Sequence, residues 1–252
     1  MDARRLPARH GVLWLLAGFA LFRRHPPMMT ALTFGYLLTV IVVNLIPKIG
    51  PFILPLLLPA LTVMLANGCR AVEQGGSFSS ETLGQGIGTQ RVGLMRLGGL
   101  HLLGSSLLVL GGSFLGDPVN LNDGITPEEL VALTTDLAIL LVLASPLLMA
   151  FWFAPLLTAW DGIGAAKSLF FSFVASWRNW KAFAMYGIAI VLVGAVVPGL
   201  ILILAGQISQ SLLTVLNTAL RMLLIFVLAP TMVASVYLSY RDVFAQPVQA
   251  DE

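Results

Sequence analysis

The sequence predicts an all-α membrane protein with six transmembrane helices, arranged as three helical hairpins and joined by short interfacial or re-entrant helices. Three observations carry that prediction. The 252-residue chain is 58% hydrophobic and 10% charged, with a mean hydropathy of +0.91; a soluble domain is about a quarter charged. Six runs are long and apolar enough to cross about 30 Å of hydrocarbon, which takes about 20 residues at 1.5 Å of rise each. The cationic residues also fall on alternate connections, as the positive-inside rule requires of a polytopic protein.

The N-terminal stretch carries Arg4, Arg5 and Arg9 before the apolar run Gly11 to Phe22, then Arg23-Arg24-His25-Pro26-Pro27. That order mimics a secretory signal but lacks a small-residue cleavage site. The run is also too short to span. It reads as an uncleaved segment lying on or dipping into the membrane. The six spans follow at Met28–Ile46, Pro51–Gly68, Gly93–Leu115, Leu130–Trp160, Lys181–Ala205 and Ser211–Tyr240. The second is short, and the fourth and sixth are long enough to tilt or project.

With the N-terminus in the cytoplasm, twelve basic residues fall inside: Arg4, Arg5, Arg9, Arg23, Arg24, Arg70, Arg91, Arg96, Lys167, Arg178, Lys181 and Arg241. Only two, Lys48 and Arg221, fall outside. The outer loop Gly116–Pro127 carries Asp117 and Asp123 and no base. This asymmetry predicts a bacterial inner-membrane location with both termini cytoplasmic.

After the fourth span, Trp160 is expected at headgroup level and Asp161-Gly162 turns the chain. Ser168, Ser172 and Ser176 recur every four residues and so share one helical face, opposite Phe170, Phe173 and Trp177. The expected helix lies in the interface, its serines toward water and its aromatics in lipid. The other reading is a connector packed beneath neighbouring helices. Arg178, Trp180 and Lys181 anchor its end, and Arg24, Arg70, Trp177 and Arg241 are the other expected interfacial anchors.

A threefold pattern runs through a single membrane domain covering residues 1–252, with units at about 10–72, 78–162 and 163–242 and a disordered tail at 243–252. Each unit has a short interfacial segment, a span out and a span back. The returning spans read LLPAL (57–61), FAPLL (153–157) and LAPTM (228–232). Pro59 precedes Arg70, and Pro230 precedes Arg241, by eleven residues, about 16 Å of helix. Pro59, Pro155 and Pro230 are therefore expected to bend their helices near midplane. The second unit departs from the pattern: it has Asp161 and Lys167 in place of that arginine, and SSETLGQGIGTQ is poor helix material.

The run FAPLLTAWDGIGAAKSLFFSFVASWRNW (153–180) and the opening PARHGVLWLLAGFALFRRHP (7–26) resemble sequences of uncharacterised six-helix proteobacterial inner-membrane proteins. More distantly, the layout is similar to the membrane domain attached to some bacterial glycerophosphodiester phosphodiesterases. The resemblance implies a helical bundle in the membrane and supplies no catalytic residues.

Candidate chemistry is sparse. GQGIG (84–88) lacks the strand and helix of a phosphate-binding loop and reads as a flexible connector. His10 and His25 flank an arginine-rich segment, where headgroup contact is expected. His101 lies inside the third span, with no ligand partner at a suitable spacing; a hydrogen bond to a neighbouring helix is expected. Asp136 and Arg221 sit well inside the outer ends of long helices and are expected to meet there, directly or through water, unless both helix ends project into solvent. Ser211, Thr214, Asn217, Thr218 and Arg221 form a polar stripe that lines a cavity or, more commonly, faces partner helices. Gly98, Gly99, Gly104, Gly111, Gly112, Gly187 and Gly194 are expected at close helix contacts. Glu128 and Glu129 favour the start of the fourth span. A single cysteine, Cys69, excludes an internal disulfide and a multi-cysteine metal site.

No cofactor, metal or catalytic set is expected. Membrane lipids are the expected partners, with a protein partner or a second copy as further candidates. A net charge of +2 gives no reason to invoke nucleic acid. The sequence favours a non-catalytic membrane module that binds partners or lipid. The alternative is a small-molecule or lipid transporter, which internal repeats and midplane prolines suit.

Overall fold

Proline, glycine and the arginine-rich ends punctuate this chain, and the helices follow that punctuation. A computed structural model describes residues 3–114 and 126–244. The elements are α1 (His10–Arg24), α2 (Pro26–Asn44), α3 (Gly50–Glu73), α4 (Ser80–Leu83), α5 (Arg91–Gly112), α6 (Pro127–Asp161), α7 (Ala165–Arg178), α8 (Trp180–Val191), α9 (Val197–Ile208), α10 (Gln210–Leu223) and α11 (Ala229–Phe244). Pro26 opens α2, where its missing N–H costs nothing. Gly162 closes α6 in the left-handed conformation, at φ 69°. Thr126 and Glu129 form a reciprocal capping box at the start of α6, so one of the two first-turn carboxylates predicted from sequence, Glu129, also serves as a cap.

Six helical stretches are long and apolar enough to cross a membrane, and the described residues contain no strand. The chain is an all-α membrane protein. The fifth span is α8 and α9 joined by a π-turn at Leu192–Val196, and the sixth is α10 and α11 joined by another at Leu224–Leu228. Each π-turn ends just before a proline, Pro198 or Pro230. The proline cannot donate to the carbonyl four residues back, and the widened turn makes room for its ring. Pro59 and Pro155, by contrast, sit buried within continuous helices.

The hairpins are α2/α3, α5/α6 and α8–α9/α10–α11. Each short segment lies against the hairpin before it: α4 on α3, and α7 on α5 and α6. The first segment, α1, packs on α8 and α11 and so meets the last hairpin. Glycine allows this approach, since a Cβ on Gly11 would lie 2.1 Å from the Ala182 carbonyl and one on Gly18 would lie 2.6 Å from that of Thr231. Within the bundle only Gly98 and Gly104 of the predicted small surface are truly crowded, by Leu56 and Leu147; Gly99, Gly111 and Gly187 have open space.

The buried core gathers at the arginine-rich end, around Trp14, Met29, Val63, Leu97, Phe153 and Leu157. Toward the opposite end the helices expose Leu107, Val109, Leu141, Val142, Ile203 and Val215, as lipid-facing positions do. The 35-residue α6 is about 52 Å long, so it exceeds the hydrocarbon by several turns. Both ends of the described chain lie together, because the Arg4 N–H donates to the Val243 carbonyl at 2.9 Å. The predicted acidic pair Asp117 and Asp123 lies outside the described residues. Residues 243 and 244 of the predicted tail are helical, and residues 245–252 lie outside the described residues.

Candidate functional site

The serine face of α7 points the other way from the sequence expectation. Ser168, Ser172 and Ser176 are buried against α6, while Phe170 and Trp177 are exposed on the lipid side. The Ser172 hydroxyl accepts from the Phe153 N–H at 2.9 Å and donates to the Met149 carbonyl at 2.8 Å. It thus bridges the donor and acceptor of one α6 turn, shortly before Pro155. Thr158 donates to Ser168, which donates to the Ile163 carbonyl. A hydroxyl finds a partner as readily on a neighbouring backbone as in water. The aromatic side still faces lipid, so α7 is a packed connector with a lipid-exposed flank.

At the arginine-rich end two asparagines act as hubs. Asn67, buried in α3, donates to the carbonyls of Leu83 and Gln85 at 3.0 and 2.8 Å and accepts from Trp160 Nε1 at 2.9 Å. The GQGIG connector is therefore pinned rather than flexible, with Gly86 at φ 79° lying over the Ala159 carbonyl. Asn179, buried after α7, accepts from the Leu6 N–H and donates to the Arg4 carbonyl. It ties the N-terminal segment to the bundle. Neither amide has a spacing that marks it in the sequence; Asn179 is visible there only as part of Arg-Asn-Trp.

The predicted anchors divide between packing and exposure. Arg70 stacks over the Trp160 ring at 3.8 Å, and the indole is half-buried among Tyr237 and Tyr240 rather than free at headgroup level. Glu73 pairs with Arg241 and accepts from the Tyr237 hydroxyl, while Arg24 donates to the Glu73 carbonyl. Tyr240 donates to Asp161. Trp177, Arg178 and Trp180 are exposed, with Lys181 near the Trp180 ring. One cluster thus joins α1, α3, α6 and α11.

Above this cluster lies a cavity of about 450 Å³, bounded by all three hairpins. Tyr36, Thr62, His101, Phe151, Trp152 and Tyr186 are among the side chains lining it. A second, more apolar cleft of about 350 Å³ lies beside it and shares Leu148, Trp152, Tyr186 and Met232 as a common wall. Tyr36 and His101 each lie ten residues into their spans, about 15 Å along the helix, so the cavity reaches midplane. His101 hydrogen-bonds to Ser105 of its own helix and packs edge-on to Phe151, rather than bonding to a neighbouring helix. The Tyr186 hydroxyl is buried and has no hydrogen-bond partner among the described residues. Of the polar residues singled out by sequence, only His101 borders this cavity.

The stripe on α10 does not line it. Thr214, Thr218 and Arg221 are exposed, and both threonines donate to carbonyls of their own helix. Arg221 donates to Asn217 Oδ1 at 3.2 Å, and no ion pair joins it to Asp136. Arg221 lies 20 residues from Arg241, about 30 Å along the helix. That places it at the far hydrocarbon edge, where water serves the charge without an acidic partner.

Six apolar spans around a midplane cavity, clamped by a polar cluster at one end, define a multi-pass α-helical membrane protein. The chain is 36% identical, over 204 residues, to a probable inner membrane protein of Burkholderia thailandensis, a match covering 75% of this chain and 74% of that one. It belongs to that protein's family and is a multi-pass inner-membrane protein. No family model matches it, and no solved structure matches it.

Proposed function

We propose that this protein is a non-catalytic membrane module whose central cavity takes up an apolar chain, such as the tail of a membrane lipid. The observation behind this reading is the 450 Å³ space bounded by all three hairpins, with a mostly hydrocarbon and aromatic wall and a few polar groups at midplane. A cavity of this size suits a small ligand or part of a lipid. The arginine-rich end faces the cytoplasm, and so do both termini, in keeping with the twelve-to-two distribution of basic residues. Each hairpin with its preceding segment is one of three repeats arranged in a ring. The resemblance to membrane domains attached to phosphodiesterases fits a module that supports chemistry or assembly elsewhere.

The test is to fill the cavity. Val236→Trp places an indole in its wall. Mass spectrometry of the purified full chain should then find less co-purifying lipid per chain than in the wild type, at unchanged elution volume. An unchanged lipid complement overturns the reading. The transport reading is favoured by the adjoining apolar α6/α8 cleft, which shares a wall with the cavity. It requires the protein to move lipid or solute across reconstituted vesicles.

A further inference from the structure

A second recess lies on the outside of the bundle, between α5 and the start of α7. It is an open groove of about 680 Å³ whose lining includes Arg96, Leu100, Leu103, Gly164, Ala166 and Lys167. Two cations from different helices stand at its arginine-rich end, and no carboxylate lines it. Arg96 lies five residues inside the α5 span, about 7 Å along the helix, and neither Arg96 nor Lys167 has a hydrogen-bonded or ion-paired protein partner among the described residues. A cation at that depth is costly unless a counter-charge comes from elsewhere. Deeper in the groove, Leu100 and Leu103 present exposed apolar surface. No side chain caps the first turn of α7, so its N–H groups add to the positive end of the groove.

We infer that this groove binds one anionic phospholipid of the surrounding leaflet, its phosphate held between Arg96 and Lys167 and its acyl chain lying along Leu100 and Leu103. The charge arrangement selects the occupant. Two unpartnered cations at headgroup depth complement a phosphate, and the apolar floor beneath them continues into hydrocarbon, where a free anion or an acidic protein loop has no counterpart. Arginine contributes a planar fork for two phosphate oxygens, and lysine a point charge. The inference does not depend on what occupies the central cavity.

The experiment uses the full chain, delipidated in mild detergent and titrated with phosphatidylglycerol or phosphatidylcholine, with bound lipid counted by native mass spectrometry. The wild type should retain phosphatidylglycerol preferentially. The double variant Arg96→Gln with Lys167→Gln should lose that preference roughly tenfold or more, as expected for two charges near an anionic headgroup. Removing two charges from the same end but outside the groove, Arg23→Gln with Arg178→Gln, should leave it intact. The exchange Arg96→Lys with Lys167→Arg should largely restore it, which separates charge from folding. Inorganic phosphate should not displace the lipid. Three results overturn the proposal: equal retention of both lipids by the wild type, equal loss in the two charge-removal variants, or displacement by phosphate. The cavity variant Val236→Trp should keep the preference, so failure of the cavity reading is separately visible.

Discussion

Asn67→Leu tests the clamp at the arginine-rich end with a substitution of nearly unchanged size. The amide makes three hydrogen bonds of 2.8–3.0 Å. Each is worth about 1 kcal/mol net, and more where the partner is left buried and unpaired. Gln85 is exposed, so its carbonyl recovers water; the Trp160 N–H and the Leu83 carbonyl recover less. The expected loss is about 2–3 kcal/mol, which for a chain of this size lowers the thermal midpoint by roughly 5–10 °C. The protein carries its own reporter: Cys69, the single cysteine, is fully buried on the same helix. A thiol-reactive fluorophore added during heating therefore reads unfolding, with tryptophan emission as an independent probe. Thr214→Val, on the exposed face of α10, serves as the control and should move the midpoint little. If Asn67→Leu unfolds within about 1 °C of the wild type by both probes, the three contacts contribute nothing net and the clamp is not a stabilising element.

Gly18→Ala should destabilise by about 1–3 kcal/mol, because the new Cβ meets the Thr231 carbonyl and Ser235 Oγ. Gly187→Ala, with open space around it, should not, and the same thermal scan compares them. Asp136→Asn and Arg221→Gln should each cost under about 0.5 kcal/mol and add independently. A coupling above about 1 kcal/mol in the double-mutant cycle would restore the ion pair that the structure lacks. A fluorescent protein fused after Glu252 should be bright and an alkaline phosphatase there inactive, whereas phosphatase inserted at Pro47–Lys48 should be active. The reverse pattern would invert the proposed orientation.

The serine face of α7 shows how much of this protein was legible in its sequence. A four-residue spacing places Ser168, Ser172 and Ser176 on one side of a helix, and that side is real. Spacing along one helix says nothing about which neighbour that side meets. Water and the free lone pairs of Met149 and Ile163 satisfy a hydroxyl equally well, so only the packing of α7 on α6 decided the matter. The same limit applies to His101 and to the polar stripe of α10. Their polarity was visible, but whether it faced a cavity, a helix or the outside depended on the rotation of each helix.

Composition along the chain was enough to place the protein in the bilayer, count its six spans, and find the acidic start of α6 and the crowding of basic residues at one end. These follow from transfer free energies and helix geometry, which act residue by residue. Contacts between residues far apart in sequence emerge only from how the helices pack. Asn67 meets Trp160, Glu73 meets Arg241, and Tyr36, His101 and Tyr186 close around one cavity. Such groups converge because three hairpins pack sideways on one another, and that lateral register depends on the shapes of all the facing surfaces together.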